Sequence, residues 1–287
     1  MKKILYVALL AMFLVSCDEG YNNNPSDENS NQSSSNESGN DSGDKSDDGP
    51  FIPAFSVSED KQVIFSPGNL QYHPKYNKWR FAENQTDYIG DANSNCSATY
   101  NGWLDLFGWG TGANPTLCTK ELTDYSAFVD WGTNPIGNDA PNTWRTLTYK
   151  EWKYLLEARD NASSLIGIAQ VNGINGLILL PDNWICPSGV TFTFGCHSIY
   201  GLESYTQHQT FDDELWHTLE STGAVFLPTA GYRWESNVYQ VVVRGYYWSA
   251  TDYNSNLALA FGFKPDKAFI IDSERFIGNS VRLVKDL

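Results

Sequence analysis

The segment GYYWSATDY at residues 245–253 places four aromatic residues in nine positions and is the clearest candidate for ligand chemistry. A flat aromatic ring can cover the C–H face of a sugar or a peptide side chain, while nearby Asp and Asn side chains bond its polar groups. Because side chains alternate along a strand, we expect Tyr246 and Trp248 on one face and Tyr247 on the other. Trp248 is expected in the core, since its indole buries a large apolar area. At most part of this cluster can therefore face a ligand.

Two turns carry the other candidate contacts. Asp252 and Tyr253 follow the predicted strand and suit an exposed binding surface, although Asp and Asn are also ordinary turn formers. The segment GYRWESNVY predicts a hairpin with an exposed tip between Trp234 and Tyr239. The candidate ligand-binding residues are Tyr232, Trp234, Tyr247, Asp252 and Tyr253.

The sequence lacks the patterns typical of enzymes and metal sites. Its four histidines show no close pair and no H-E-x-x-H pattern, and there is no G-x-S-x-G elbow, phosphate loop or Rossmann fingerprint. Carboxylates are numerous, but a glycosidase pair requires a defined separation in space. The sequence therefore predicts no catalytic residue, no metal and no cofactor.

The thiol of Cys17 is predicted to be lipidated. Lys2 and Lys3 precede an apolar run of twelve residues, ILYVALLAMFLV, which is too short to span a bilayer and is typical of a signal peptide covering residues 1–17. The letters LVSC at residues 14–17 resemble a bacterial lipobox, where acyl chains such as palmitate are attached. Each buried methylene contributes about 0.8 kcal/mol, so several chains hold a protein on a membrane. The alternative is an ordinary signal peptide followed by a chance cysteine.

Residues 18–50 are almost wholly Asn, Ser, Asp, Glu and Gly and predict a disordered linker. They hold nine acidic residues and one lysine, so −8 of the net charge of −15 lies there. The rest of the chain shows no basic patch, which argues against a nucleic-acid partner. Asp18 and Glu19 look like the acidic export signal of Bacteroidetes surface lipoproteins, or they simply begin the linker. The expected location is the outer membrane, with the domain exposed on the cell surface.

Four further cysteines permit disulfides in an exported domain. The simplest of the three connectivities pairs Cys96 with Cys118 and Cys186 with Cys196. Such bridges could contribute on the order of 3 kcal/mol each. Free buried thiols are the alternative.

Residues 51–287 are rich in aromatics and glycine, and they predict a single α+β domain of short strands, two main helices and long loops. One helix is predicted in TLTYKEWKYLLEAR, where Thr148 and Glu151 have capping-box spacing. The other is predicted in DDELWHTLESTG, with Asp212 at its start and Gly223 at its end.

Several blocks in order carry a family resemblance: WRTLTYKEWKYLL, GLILLPDNW, VFLPTAGYR, GYYWSATDYNSNLALAFGF and SVRLV. Together they resemble the C-type-lectin-like fold in its broad sense. More closely they resemble the Fibrobacter succinogenes major paralogous domain and formylglycine-generating-enzyme-like modules of Bacteroidetes lipoproteins, over about residues 140–287. Residues 55–135 look like the N-terminal part common in such lipoproteins, and no chemistry is assigned to them.

The resemblance implies a central sheet in which YWSAT and LALAFGF are adjacent antiparallel strands. The resemblance does not imply oxidase activity, because formylglycine-generating enzymes use cysteines in the C-terminal part of the module and here no cysteine follows Cys196. The calcium-site signatures of sugar-binding C-type lectins are also absent. The leading hypothesis is a lipid-anchored, non-catalytic domain that binds a glycan, a peptide or an envelope protein. The alternatives are a structural component of the envelope without a small ligand and a divergent enzyme on the same fold.

Overall fold

A computed structural model describes residues 51–195, 209–264 and 267–287, and within these ranges the chain is mixed α/β with mostly short antiparallel strands. The early strands are β1 (Phe55–Ser58), β2 (Lys61–Phe65), β3 (Leu70–His73), β4 (Lys78–Phe81) and β5 (Arg145–Thr146). The middle strands are β6 (Ile166–Val171), β7 (Ile174–Leu179), β8 (Gln209–Phe211), β9 (Val225–Pro228), β10 (Tyr232–Trp234) and β11 (Asn237–Tyr239). The last are β12 (Gly245–Asp252), β13 (Leu257–Lys264), β14 (Lys267–Glu274) and β15 (Leu283–Asp286).

Both predicted helices are present, and their caps explain where they begin. Helix α1 (Tyr149–Lys153) has the full capping box: Thr148 Oγ1 accepts from the Glu151 amide, and the Glu151 carboxylate accepts from the Thr148 amide. It continues as one π-helical turn, Tyr154–Ala158. Helix α2 (Asp213–Ser221) begins after the cap Asp212, whose carboxylate accepts from the Leu215 amide. No helix in the described part of the chain is long and apolar enough to cross a bilayer.

One sheet joins strands that are far apart in the sequence. Its order is β1-β2-β15-β5, with β15 antiparallel to both of its neighbours. The N-terminal strands and the end of the described chain are therefore parts of one sheet.

Two further sheets form the body of the second half. The first has the order β8-β6-β7-β9, in which only the β6–β8 pair is parallel among the described strands. The second is the antiparallel meander β12-β13-β14. The predicted pairing of YWSAT with LALAFGF is confirmed as β12 against β13. Hairpins β3–β4 and β10–β11 complete the described strands.

Strand β12 is covered on both faces, which decides the environment of its aromatic residues. Tyr247 packs with Trp152 and Phe261 in one hydrophobic cluster, and Trp248 packs with Phe107 in another. The indole Nε1 of Trp248 donates to the Phe107 carbonyl oxygen at 2.6 Å. The predicted core position of Trp248 is confirmed. The alternation predicted for this strand is also confirmed, and the Tyr247 and Trp248 side chains are both buried, on opposite faces.

Candidate functional site

A cleft of about 500 Å³ lies between the β10–β11 hairpin, the loop after it and the β12–β14 sheet. We call it the hairpin cleft. Three aromatic side chains line it: Tyr232, Trp234 and Tyr246. Its polar lining consists of Gln240, Arg244, Asp272, Ser273, Glu274 and Asn279.

Packing fixes the aromatic rings of the hairpin cleft in place. The Tyr232 ring stacks on Tyr239 at 5.6 Å between centroids and meets Tyr246 edge to face at 5.7 Å. Trp234 meets Phe276 edge to face at 5.2 Å. Such contacts hold each ring in one orientation, so the aromatic wall is formed before a ligand arrives.

Hydrogen bonds organise the polar side of the hairpin cleft. The Tyr246 hydroxyl donates to Gln240 Oε1 at 3.2 Å, and Arg244 Nη1 lies 3.4 Å from the same hydroxyl. Asp272 and Glu274 lie on β14 across from them. Burial raises the pKa of Tyr232, so its phenol is a neutral donor or acceptor at physiological pH. The cleft thus offers hydroxyl, amide, guanidinium and carboxylate groups beside three rings.

The buried side chain of Arg233 holds the hairpin through hydrogen bonds to neighbouring segments. Its side chain is 2% exposed, and it donates to the Glu235 carbonyl oxygen at 2.9 Å and to the Leu106 and Leu117 carbonyl oxygens at 3.4 Å. Its backbone amide donates to Gly278 O at 2.8 Å, and Gly278 N donates back at 2.8 Å. Burial lowers the pKa of the Arg233 guanidinium to about 10, which still leaves it charged at neutral pH.

A disulfide supports the same hairpin. Cys96 and Cys118 are bonded to each other, with their Cα atoms 6.1 Å apart. Just after the bridge, Lys120 Nζ lies 2.9 Å from Glu235 Oε2 and 5.8 Å from the centre of the Trp234 ring. The segment that contains the bridge therefore contacts the hairpin tip and one aromatic ring of the cleft.

The loop that follows the hairpin holds unusual backbone conformations. Gln240 and Val242 have φ values of +57° and +60°, and Glu235 at the hairpin turn has +51°. A β-branched residue such as Val242 is rare in this left-handed region. The loop is held there because the Val242 amide donates to Thr229 O at 2.9 Å and its carbonyl accepts from Asn175 Nδ2 at 2.9 Å. The surrounding contacts thus impose a strained loop at the rim of the cleft.

Of the predicted binding residues, Tyr232 and Trp234 line the hairpin cleft, and the predicted hairpin is present. The prediction that Tyr247 contacts a ligand is wrong. Its side chain is fully buried, and its hydroxyl donates to Pro228 O at 3.1 Å and accepts from Asn69 Nδ2 at 3.2 Å. Helix α1 and β13 cover the face that carries it, so Tyr247 is a core residue.

Asp252 is the last residue of β12 and Tyr253 begins the turn after it, and both lie outside the lining of the hairpin cleft. Tyr253 is 62% exposed, as expected for a surface position. Asp252 Oδ2 lies 3.7 Å from Nη2 of Arg275, whose guanidinium also donates to the carbonyl oxygens of Tyr125 and Asn254. Arg275 therefore braces this turn, and the structure does not bring Asp252 and Tyr253 together with the cleft.

The remaining predicted positions fall near or beyond the limits of the described chain. Cys17 and Cys196 lie outside the described residues, so lipidation and the Cys186–Cys196 bridge stay predictions. Cys186 is half-buried, with Sγ 3.3 Å from the Val190 carbonyl oxygen.

The sequence did not single out the polar residues of the hairpin cleft. Arg244, Asp272 and Glu274 come from a loop and from β14, which are far apart in the chain. One signal was available: Arg244 directly precedes the aromatic segment and follows the predicted hairpin.

Within the described ranges no three His, Cys, Asp or Glu side chains come together in a way that could hold a metal ion. Comparison of the chain with protein-family models, with curated proteins and with solved structures gave no match.

Proposed function

We propose that this chain is a lipid-anchored, surface-exposed, non-catalytic binding protein whose hairpin cleft holds a carbohydrate. The observation that carries the proposal is the joint lining of one cleft by Tyr232, Trp234 and Tyr246 and by a ring of hydroxyl, amide and charged groups. A sugar presents an apolar C–H face and a rim of hydroxyls, and these two surfaces match the two kinds of lining.

The volume of the hairpin cleft agrees with a short oligosaccharide. A volume of about 500 Å³ falls in the usual range for small-molecule sites, roughly 300–1,000 Å³. The polar groups of the cleft are too numerous for an apolar ligand, which would leave them without partners at a cost of about 1–3 kcal/mol each.

The anchor rests on the N-terminal sequence. A positive start, a short apolar run and LVSC support acylation of Cys17, and the acidic residues that follow support a tethered position on the outer face of the outer membrane. The tether would place the hairpin cleft away from the lipid, where soluble or surface glycans reach it.

The C-type-lectin-like fold and the likeness to Bacteroidetes lipoprotein modules belong to the same proposal. They are supported by the order of sequence blocks, by a helix with a capping box ahead of the β8-β6-β7-β9 sheet, and by the antiparallel meander that follows this sheet. Binding would then use loops of such a fold, and the hairpin cleft is bordered by a hairpin and the loop after it.

The test is a glycan-array screen of the purified protein, with and without calcium, followed by titration of each hit. Trp234→Ala removes a ring that lines the cleft, and Tyr253→Ala removes an exposed aromatic ring that lies outside it. Thermal unfolding of both variants checks that they fold. We expect a specific hit whose affinity falls about tenfold or more in Trp234→Ala and stays within about twofold in Tyr253→Ala.

Two outcomes would overturn the proposal. If no glycan on the array binds, the proposal of a carbohydrate ligand is rejected. Protein partners would then be sought by crosslinking on intact cells. Binding that survives in a folded Trp234→Ala variant would remove the hairpin cleft as the site.

A further inference from the structure

The β3–β4 hairpin concentrates positive charge on an acidic chain. Residues 70–81 contain Lys75, Lys78 and Arg80 and no acidic residue. Nine of the 34 acidic residues lie in residues 18–50, and three of the 19 basic residues precede residue 51, which leaves 25 acidic and 16 basic residues in the remainder. The expectation that this part of the chain has no basic patch is therefore wrong at this hairpin.

Arg80 is held ready to contact an anion. Its guanidinium carbon lies 3.9 Å from the centre of the Trp103 ring, and its Nε donates to Gln71 Oε1 at 2.9 Å. Nη1 pairs at 3.1 Å with Glu83, a carboxylate that is 77% exposed and so contributes little. Nη2 has no hydrogen-bond partner among the described residues. Stacking thus fixes the plane of the guanidinium while one of its donor groups stays available.

Lys78 and Lys75 add charge that is not neutralised. Both are exposed, and neither lies in an ion pair with any residue that the structure describes. Lys78 pairs with His73 across the hairpin, two positions before Arg80 on the same strand, so both cations belong to one face of β4. Lys75 lies 5.6 Å from the centre of the Tyr76 ring at the hairpin end.

A groove of about 350 Å³ opens beside these cations, and we call it the Trp103 groove. It is lined by Asn77, Lys78, Arg80, Trp103, Pro135 and Asn138, among others. The loop on its far side is tied to the hairpin because the Gly137 amide donates to Trp79 O at 2.9 Å. The buried His73 meets the Trp103 ring edge to face at 5.1 Å.

We propose that the Trp103 groove is a second site, which binds an acidic sugar. The carboxylate or sulfate would lie between Lys78 and Arg80, the sugar ring would pack on the apolar surfaces of Trp103 and Pro135, and the Asn77 and Asn138 amides would bond its hydroxyls. This groove shares no lining residue with the hairpin cleft, so the inference does not depend on the proposed function. Three cations on an otherwise acidic surface suit a single charged sugar better than the long phosphate backbone of a nucleic acid.

The test is isothermal titration calorimetry of the full chain with three probes: tetragalacturonate, a chondroitin sulfate tetrasaccharide and neutral galactotetraose. We expect at least one acidic probe to bind about tenfold or more tightly than the neutral one. Lys78→Glu, at an exposed position, should abolish that difference, and Arg80→Lys should reduce it because it keeps the charge and loses the stacked plane.

Matched controls make the result decisive. Lys150→Glu reverses an exposed charge on helix α1, outside the lining of the groove, and Trp234→Ala removes a ring of the hairpin cleft, which shares no lining residue with the groove. Both should leave the affinity for the acidic probe within about twofold. The proposal is overturned if neither acidic probe exceeds the neutral one, if Lys78→Glu and Lys150→Glu weaken binding equally, or if Trp234→Ala alone abolishes binding.

Discussion

Nη1 of Arg233 lies 3.4 Å from Sγ of Cys96, so a buried guanidinium connects the disulfide to the strand that presents Trp234. The same nitrogen donates to the Glu235 carbonyl at the hairpin turn. The hairpin cleft therefore depends on a covalent bond that lies outside its own lining.

We predict that the double variant Cys96→Ser, Cys118→Ser loosens the β10–β11 hairpin. Losing the bridge should cost about 3 kcal/mol of unfolding free energy. Hydrogen exchange should rise more at the amides of Asn237 and Tyr239 than at those of the β13–β14 pair, because Arg233 loses a neighbour that holds it in place. Equal changes in both regions would show that the bridge acts on global stability alone.

Tyr247→Phe tests the core position of this tyrosine. The variant loses the hydroxyl that bonds Pro228 O and Asn69 Nδ2 and leaves both of them buried. We expect about 1–2 kcal/mol of destabilisation by urea unfolding and no change in ligand affinity. Tyr232→Phe is the matched control, for which we expect little change in stability. A large loss of ligand affinity in a folded Tyr247→Phe variant would contradict this prediction and show that Tyr247 takes part in binding.

Asp105 should make stability depend on pH. Its carboxylate is fully buried, and this desolvation raises its pKa. Hydrogen bonds from the Asn93 side chain and the Ile89 amide lower the pKa by less, so the result is a pKa of about 6. Because the folded state binds this proton more tightly than the unfolded state, the stabilisation is present below the unfolded pKa of 3.8 and is lost as the pH rises through about 6.

The measurement compares the wild type with Asp105→Asn, which cannot titrate. The wild-type unfolding free energy should fall relative to the variant by about 2–3 kcal/mol between about pH 4 and about pH 7. A difference that is constant over this range, or a carboxyl pKa near its ordinary value by NMR, would contradict the prediction.

Val242→Gly should stabilise the protein. Glycine adopts a φ of +60° without steric cost, and relief of the valine strain, about 1–3 kcal/mol, exceeds the added entropy of the unfolded chain, about 0.5–1 kcal/mol. Val243→Gly is the matched control, since Val243 is similarly exposed and has no positive φ, and it should destabilise by up to about 1 kcal/mol. Thermal unfolding of both variants gives the comparison, and destabilisation by Val242→Gly would show that the loop is unstrained.

Local signals in the sequence predicted local structure well. The capping box of α1, the acidic start of α2, the β10–β11 hairpin and the alternation in β12 all depend on neighbours a few residues apart. Physical interactions at this range are encoded in short segments, so they can be read without the rest of the fold.

The site could be predicted only in part, because burial depends on distant segments. The burial of Tyr247 comes from helix α1 on its face of β12, and that of Trp248 from Phe107 on the opposite face. Likewise, no spacing rule places Asp272 beside Trp234 or Trp103 beside Arg80. The segment 55–135, to which no chemistry was assigned, contributes most of the Trp103 groove for the same reason.

Strand β15 lies between β2 and β5, so the sheet that contains the first strand cannot close until residues 283–286 are available. Pairings of such large sequence separation form slowly, since the chain must close a long loop before any contact rewards it. Until then, the edges of β2 and β5 that face β15 stay unpaired. A late-closing sheet of this kind leaves strand edges exposed on the newly made chain, which is vulnerable to aggregation until its last strand is in place.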